Sequence, residues 1–153
     1  MLYSFYIFDR HCNCIYHRRF SLVDDGATNT DNESDVAKLL FGVLYSLKNI
    51  SSKLGDQSTN AGGFNYLKSF STSSFRIHFL ETLSNLKFVL ITDNLIDNVR
   101  SVLWELYSTY YLNNIALNPL SPVDFKGDEK ITNPNFISQT DQFLRSLPVY
   151  GGQ

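Results

Sequence analysis

The sequence predicts a single α+β domain over residues 1–153, with helices packed on one antiparallel sheet. Three observations predict it. Strand-like and helix-like segments follow one another as two strands, one helix, three strands and two helices. The strands within each group are joined by short loops, which favours antiparallel pairing. With 153 residues and 43% apolar content, the chain is large enough for one domain with a sizeable core.

Residues 3–9, YSFYIFD, are aromatic or β-branched at most positions and suit a strand buried on both faces. The polar tetrapeptide RHCN at 10–13 precedes a second strand-like run, CIYHRRF at 14–20, so residues 3–20 read as a β-hairpin. A polar loop covers 21–34. Asn32 or Ser34 can cap the helix that follows, and Glu33 and Asp35 suit its positive end. Val36, Leu40, Val43, Leu47, Ile50 and Leu54 lie alternately four and three apart. They predict a helix over 35–54, with Leu39 and Leu44 widening its apolar stripe and Gly55 just past its end.

After a loop at 55–63 come three strand candidates, 64–71, 75–82 and 86–92. Ser84 and Asn85 make the tight turn between the last two. Phe75, Ile77 and Phe79 alternate with Arg76 and His78, the clearest period-two pattern in the chain. A second helix is predicted over 94–112. At 100° per residue, Val99, Val102, Leu103, Leu106 and Tyr110 form one stripe, and Trp104, Tyr107 and Tyr111 an adjoining one. Either the helix is covered on two sides within the domain, or its Trp104, Tyr107, Tyr111 edge meets another subunit. Asn118, Pro119, Leu120, Ser121 and Pro122 stop the helix. Asn133 followed by Pro134 is a cap and first-turn pair for a last helix over 134–146, with Phe136, Thr140, Phe143, Leu144 and Leu147 on one face.

Composition excludes several functions. The net charge is −2, and Arg18 with Arg19 is too short a basic run for a nucleic-acid footprint. No apolar run is long enough to span a membrane, so direct membrane insertion is not expected. The first residues lack the pattern of a signal peptide, and two cysteines do not make a disulfide framework, which together predict a cytoplasmic protein. Aromatic content is 14%, more than a small core needs, and the surplus suits a partner surface.

His11, Cys12, Cys14 and His17 form the one metal-like grouping. Zinc sites use such residues, but here all four crowd one hairpin, and strand alternation sends Cys14 and His17 to opposite faces. A hairpin tip is the better reading. No nucleophile lies beside a base, and Asp24 and Asp25 sit in a loop without fixed geometry. No phosphate-binding or nucleophile-elbow motif occurs. Neither a catalytic site nor a cofactor is expected.

Several separate phrases carry a family likeness: YSFYIFDRHCNCIYHR, AKLLFGVLYSLKNISSKL, FRIHFLET with LKFVLITD, SVLWELYSTYYLNNIALNPLSP and NFISQTDQFLRSLP. In order and over nearly the whole chain, the sequence resembles the small longin-type subunits of the transport protein particle, TRAPP, in their budding-yeast version. The resemblance implies a longin-like, profilin-like fold: a five-stranded antiparallel sheet with one helix on one face and two on the other. It implies partners among the other TRAPP subunits, namely a longin-type neighbour and Bet3-type subunits. It also implies a share in guanine-nucleotide exchange on a Rab GTPase of the Ypt/Rab1 type, at the cis-Golgi and endoplasmic reticulum, with the lone chain inactive. The family supplies no catalytic motif to carry over. The candidate partner surfaces are therefore the Trp104, Tyr107, Tyr111 edge and the turn Asn118, Pro119, Leu120, Ser121, Pro122 with Asp124. A longin-fold adaptor small chain of a vesicle coat is the alternative, and the quoted phrases match it less well.

Overall fold

Five strands, Leu2–Phe8 (β1), Cys14–Arg19 (β2), Ser69–Ser71 (β3), Phe75–Glu81 (β4) and Lys87–Asp93 (β5), form one sheet in the order β2-β1-β5-β4-β3, with every pair antiparallel. The helices are Ser34–Lys53 (α1), Arg100–Glu105 (α2) with a continuation over Leu106–Ala116, and Pro134–Ser146 (α3). The structure is a computed structural model and describes residues 1–20, 34–54, 67–126 and 129–148. The expectations for loops 21–33 and 55–63, for Asn32, Glu33 and Gly55, and for positions 64–66 of the third strand lie outside these residues.

Strand alternation sorts the core into two layers. Phe5, Ile7, Tyr16, Leu80, Phe88 and Leu90 point to one face and pack with Leu103, Leu106, Phe136 and Leu144 of the two C-terminal helices. Tyr6, Phe8, Phe79 and Val89 point to the other and pack with Ala37 and Leu44 of α1. The fold is thus the longin-like one, with one helix on one face and two on the other. Burial of side chains such as Phe5, Phe88 and Phe136 contributes roughly 1.5–3 kcal/mol each.

Local chemistry fixes the turns. Asn85 takes φ 63°, a left-handed conformation that Asn tolerates, and the Thr82 and Leu86 backbones close the β4–β5 turn around it. At the first hairpin the Asp9 Oδ1 accepts from the amides of His11 and Asn13, both at 2.9 Å. Asn133 caps α3 through its Oδ1, which accepts from the Phe136 amide at 3.1 Å, and Pro134 follows at the first helical position.

Four sequence expectations are corrected. The second helix starts at Arg100, not at 94, because β5 runs through Asp93 and the Asn94 amide group donates to the Thr72 and Ser73 carbonyls of the β3–β4 turn instead of capping. That helix also ends later, at Ala116, and its second part bonds from i to i+5, as the Leu117 amide to Leu112 carbonyl bond at 2.9 Å shows. The wider turn changes which tyrosine goes inside. Val99, Leu103, Leu106, Tyr111 and Ile115 are buried, while Tyr110 is half-buried against Phe143. Third, Cys14 and His17 share a face. A bulge at Ile7/Phe8 pairs Phe8 with Cys14 but Tyr6 with His17, so Ile15 is the extra residue and alternation skips a beat. Fourth, the α1 stripe is split between core and surface. Leu44 is buried with Ala37, Leu40 packs against their cluster and Leu47 is half-buried, whereas Val36, Leu39, Val43, Ile50 and Leu54 are exposed.

Candidate functional site

Among the described helices, α1 exposes the most large apolar side chains. At 100° per residue, Val36, Leu39, Val43, Ile50 and Leu54 fall on one side of the helix, roughly a third of a turn from Ala37 and Leu44. Leu39 is 73% exposed and Leu54 64%. The helix is held in this orientation by its inner residues and by Lys48, which pairs with Glu81 of β4 at 2.7 Å.

The two edges of the sheet differ. Beside β2, the Ile131 amide donates to the Ile15 carbonyl at 2.7 Å and Lys130 Nζ donates to the Cys14 carbonyl at 2.7 Å, so a crossing segment caps that edge. β3 is the last strand on the other side, and no described segment pairs beyond it. Phe70 of β3 packs into the α1-side cluster, so the open edge and the α1 stripe flank the same layer.

The aromatic edge of the second helix divides. Trp104 is 56% exposed, Tyr107 is half-buried and Tyr111 is 7% exposed. The rings step inward, with Trp104 5.7 Å from Tyr107, and both Tyr107 and Tyr111 5.7 Å from Phe88. Tyr111 is thereby removed from the candidate partner surface, because the i to i+5 winding turns it into the core. Trp104 stays on the surface.

The turn residues and the first hairpin meet at one end of the sheet. Asn118 Oδ1 accepts from the Leu120 amide at 3.0 Å, and the Ser121 amide donates to the Asn118 carbonyl at 3.1 Å. This leaves Pro119, Leu120 and Pro122 outside, with Leu120 92% exposed. Asp124 accepts from Arg10 Nη2 at 2.6 Å, which ties the turn to the hairpin tip. Sequence reasoning singled out Asp124 but missed Arg10 as its partner, since 114 positions separate the two.

The four metal-like residues of the hairpin are spread out. His11 and Cys12 are exposed at the tip, with Cys12 at φ 70°. Cys14 is half-buried, with its thiol donating to the Tyr16 carbonyl at 3.4 Å. His17 is buried and stacks on Tyr6 at 4.5 Å between ring centres. Burial pushes the Cys14 thiol up to about 11, so it is protonated at neutral pH and is neither a ready ligand nor a nucleophile. Among the described residues no three His, Cys, Asp or Glu side chains are placed to hold a metal. His78 donates or accepts one hydrogen bond, to Thr92 Oγ1 at 2.9 Å, and no described helix is long and apolar enough to cross a membrane.

Known proteins give this geometry a context. The model of the Sybindin-like family matches residues 2–147. The chain is 42% identical to the trafficking protein particle complex subunit BET5 of Saccharomyces cerevisiae, over 95% of this chain and 97% of that protein. It is 32% identical to the transport protein particle subunit bet5 of Schizosaccharomyces pombe, over 97% and 99%. With trafficking protein particle complex subunit 1 of Homo sapiens the identity is 27%, over 99% and 97%.

Proposed function

Because the chain belongs to the Sybindin-like family, we propose that it is a structural subunit of a transport protein particle and acts in vesicle trafficking by docking its neighbours. The exposed apolar stripe of α1 carries this reading. A helix that has already buried one face and still presents five large apolar side chains gains from a second partner, and unpartnered apolar patches of this kind mark interaction sites. The β3 edge beside it, which no described segment pairs, offers backbone hydrogen bonds to the same neighbour. A longin-type subunit suits this combined surface, and Bet3-type subunits suit the remaining ones.

In this reading the assembled particle promotes GDP release from a Ypt/Rab1-type GTPase, and the lone chain does not. An exchange factor binds the nucleotide-free GTPase more tightly than the loaded form, and by linkage it weakens nucleotide binding by the same factor. That work needs a shaped surface and no acid, base or metal. The particle would act peripherally at the cis-Golgi and endoplasmic reticulum.

The test is purification of the tagged chain from cells, followed by nucleotide release from candidate GTPases. Recovery of transport-particle subunits, with exchange by the assembly and none by the chain alone, is the expected result. Recovery of coat adaptor chains in their place would overturn the reading.

A further inference from the structure

A cavity of about 250 Å³ lies between β3, β4 and the start of α2, lined by Lys68, Ser69, His78, Asp97, Asn98 and Arg100. The most buried polar residue of its wall is His78, 3% exposed. Its Nε2 lies 2.9 Å from Thr92 Oγ1. That hydroxyl places its single proton on the Asp93 carbonyl at 3.0 Å, so it accepts from His78 and fixes the tautomer with hydrogen on Nε2. Burial first, with Arg76 adding, lowers His78 to about 4, so the ring is neutral at pH 6 and above. Its Nδ1 is therefore a bare acceptor. No described residue donates to it, and it is not one of the fully enclosed unbonded atoms, so it keeps its surface on the cavity.

The rest of the polar lining donates. Asn98 Oδ1 already accepts from the Arg100 amide at 3.0 Å, which leaves the Asn98 Nδ2 group as a donor. The Ser69 hydroxyl has no partner among the described residues. Lys68 and Arg100 are exposed, and neither meets a carboxylate among the described residues. Asp97 is the one carboxylate of the lining, and Arg76 Nη1 is bonded to it. The cavity and its border thus carry three cations against one carboxylate, around a neutral acceptor set deep in the wall.

We propose that this cavity binds a protonated phosphate group, as carried by a small phosphomonoester, with its P–OH donating to His78 Nδ1 and its other oxygens accepting from Lys68, Arg100, Ser69 and Asn98. The inference goes beyond the docking reading and needs no partner subunit. A phosphomonoester holds its last proton up to about pH 6. Sulfate and carboxylates carry no proton there, so the bare nitrogen faces their oxygens lone pair to lone pair. One acceptor among donors therefore selects a phosphate over other oxyanions. The space is smaller than the roughly 300–1,000 Å³ of pockets that enclose a whole cofactor or drug-sized ligand, so it suits the phosphate end of a molecule. A metal ion is the poorer occupant, since three cations repel it.

The test is a titration of the full chain with glycerol 3-phosphate and, separately, with sulfate, at about pH 6, followed through the Ser69 and Arg100 amide resonances. Saturable shifts are expected, with the phosphate bound about tenfold or more tighter than sulfate, although sulfate is the more charged ion. Lys68→Ala with Arg100→Ala, both at exposed positions, should weaken phosphate binding by about tenfold or more without changing the melting temperature. His78→Phe should bring the two ions to equal affinity. Where that variant does not fold, the ratio of the two affinities in the wild type decides. No saturable shift, equal affinity for both ions in the wild type, or phosphate binding unchanged by the Lys68 and Arg100 pair overturns the inference. Vesicles of phosphatidylcholine with and without phosphatidic acid then separate the sources of the phosphate. Retention on phosphatidic acid that the Lys68 and Arg100 pair abolishes assigns a lipid headgroup, and its absence beside phosphate binding assigns a soluble compound.

Discussion

The two faces of the sheet are covered in opposite ways. On one, α2 with its continuation and α3 bury a single large cluster that runs from Leu2 to Leu144. On the other, α1 buries only Ala37 and Leu44 fully and leaves Val36, Leu39, Val43 and Ile50 exposed. The first face is finished by the chain's own helices. On the second, the outer side of α1 stays exposed among the described residues. The difference teaches that apolar content alone does not distinguish core from interface. What distinguishes them is whether the chain itself supplies a second layer.

Four changes break or sharpen this contrast. The largest effect belongs to the finished face. Phe88 is fully buried and touches Phe5, Tyr107 and Tyr111, so Phe88→Ala costs about 3–5 kcal/mol of folding stability, read from urea unfolding. Next is the pH response of the same layer. Burial, with Arg76 adding, lowers His78 to about 4 from 6.5. Between those values the unfolded chain binds a proton that the folded chain refuses, so stability falls as pH drops through that window, by up to about 3 kcal/mol. Unfolding of the wild type and of His78→Gln between pH 7 and pH 4 checks this, since the variant's profile should flatten across the window.

On the unfinished face the effects move from folding to binding. Leu39→Glu with Val43→Glu should change the free chain's stability by no more than about 0.5 kcal/mol and weaken its neighbour by about 2 kcal/mol or more. Unfolding curves and a binding titration against the co-purified neighbour separate the two. If the double variant unfolds instead, α1 is core and the contrast fails. The smallest effect is at Trp104, where Trp104→Ala should cost well under 1 kcal/mol in the free chain, by the same unfolding assay, because more than half of the ring is already in water.

Much of the fold was legible because its signals are local. The alternation at Phe75 to Phe79, the Ser84 and Asn85 turn and the Asn133, Pro134 helix start each depend on a few adjacent residues. The errors arose where a distant partner outbid a local preference. Asn94 has the chemistry of a cap but donates to Thr72 and Ser73 across the sheet edge. Tyr111 sat on the predicted surface edge because a 100° wheel assumes i to i+4 bonding, and the chain winds more widely there. The bulge at Ile15 put Cys14 and His17 on one face, which simple alternation forbids.

The sequence by itself determined the order of elements, the antiparallel sheet and the likeness to the longin-type subunits of the transport protein particle, since these are written in periodicity, turn chemistry and phrases of consecutive residues. Tertiary structure alone decided which apolar stripe faces inward, which tyrosine is core, and that Asp124 reaches Arg10. The physical reason is the same in each case. Periodicity says that a helix has an apolar side, but only packing against residues far along the chain says what that side meets.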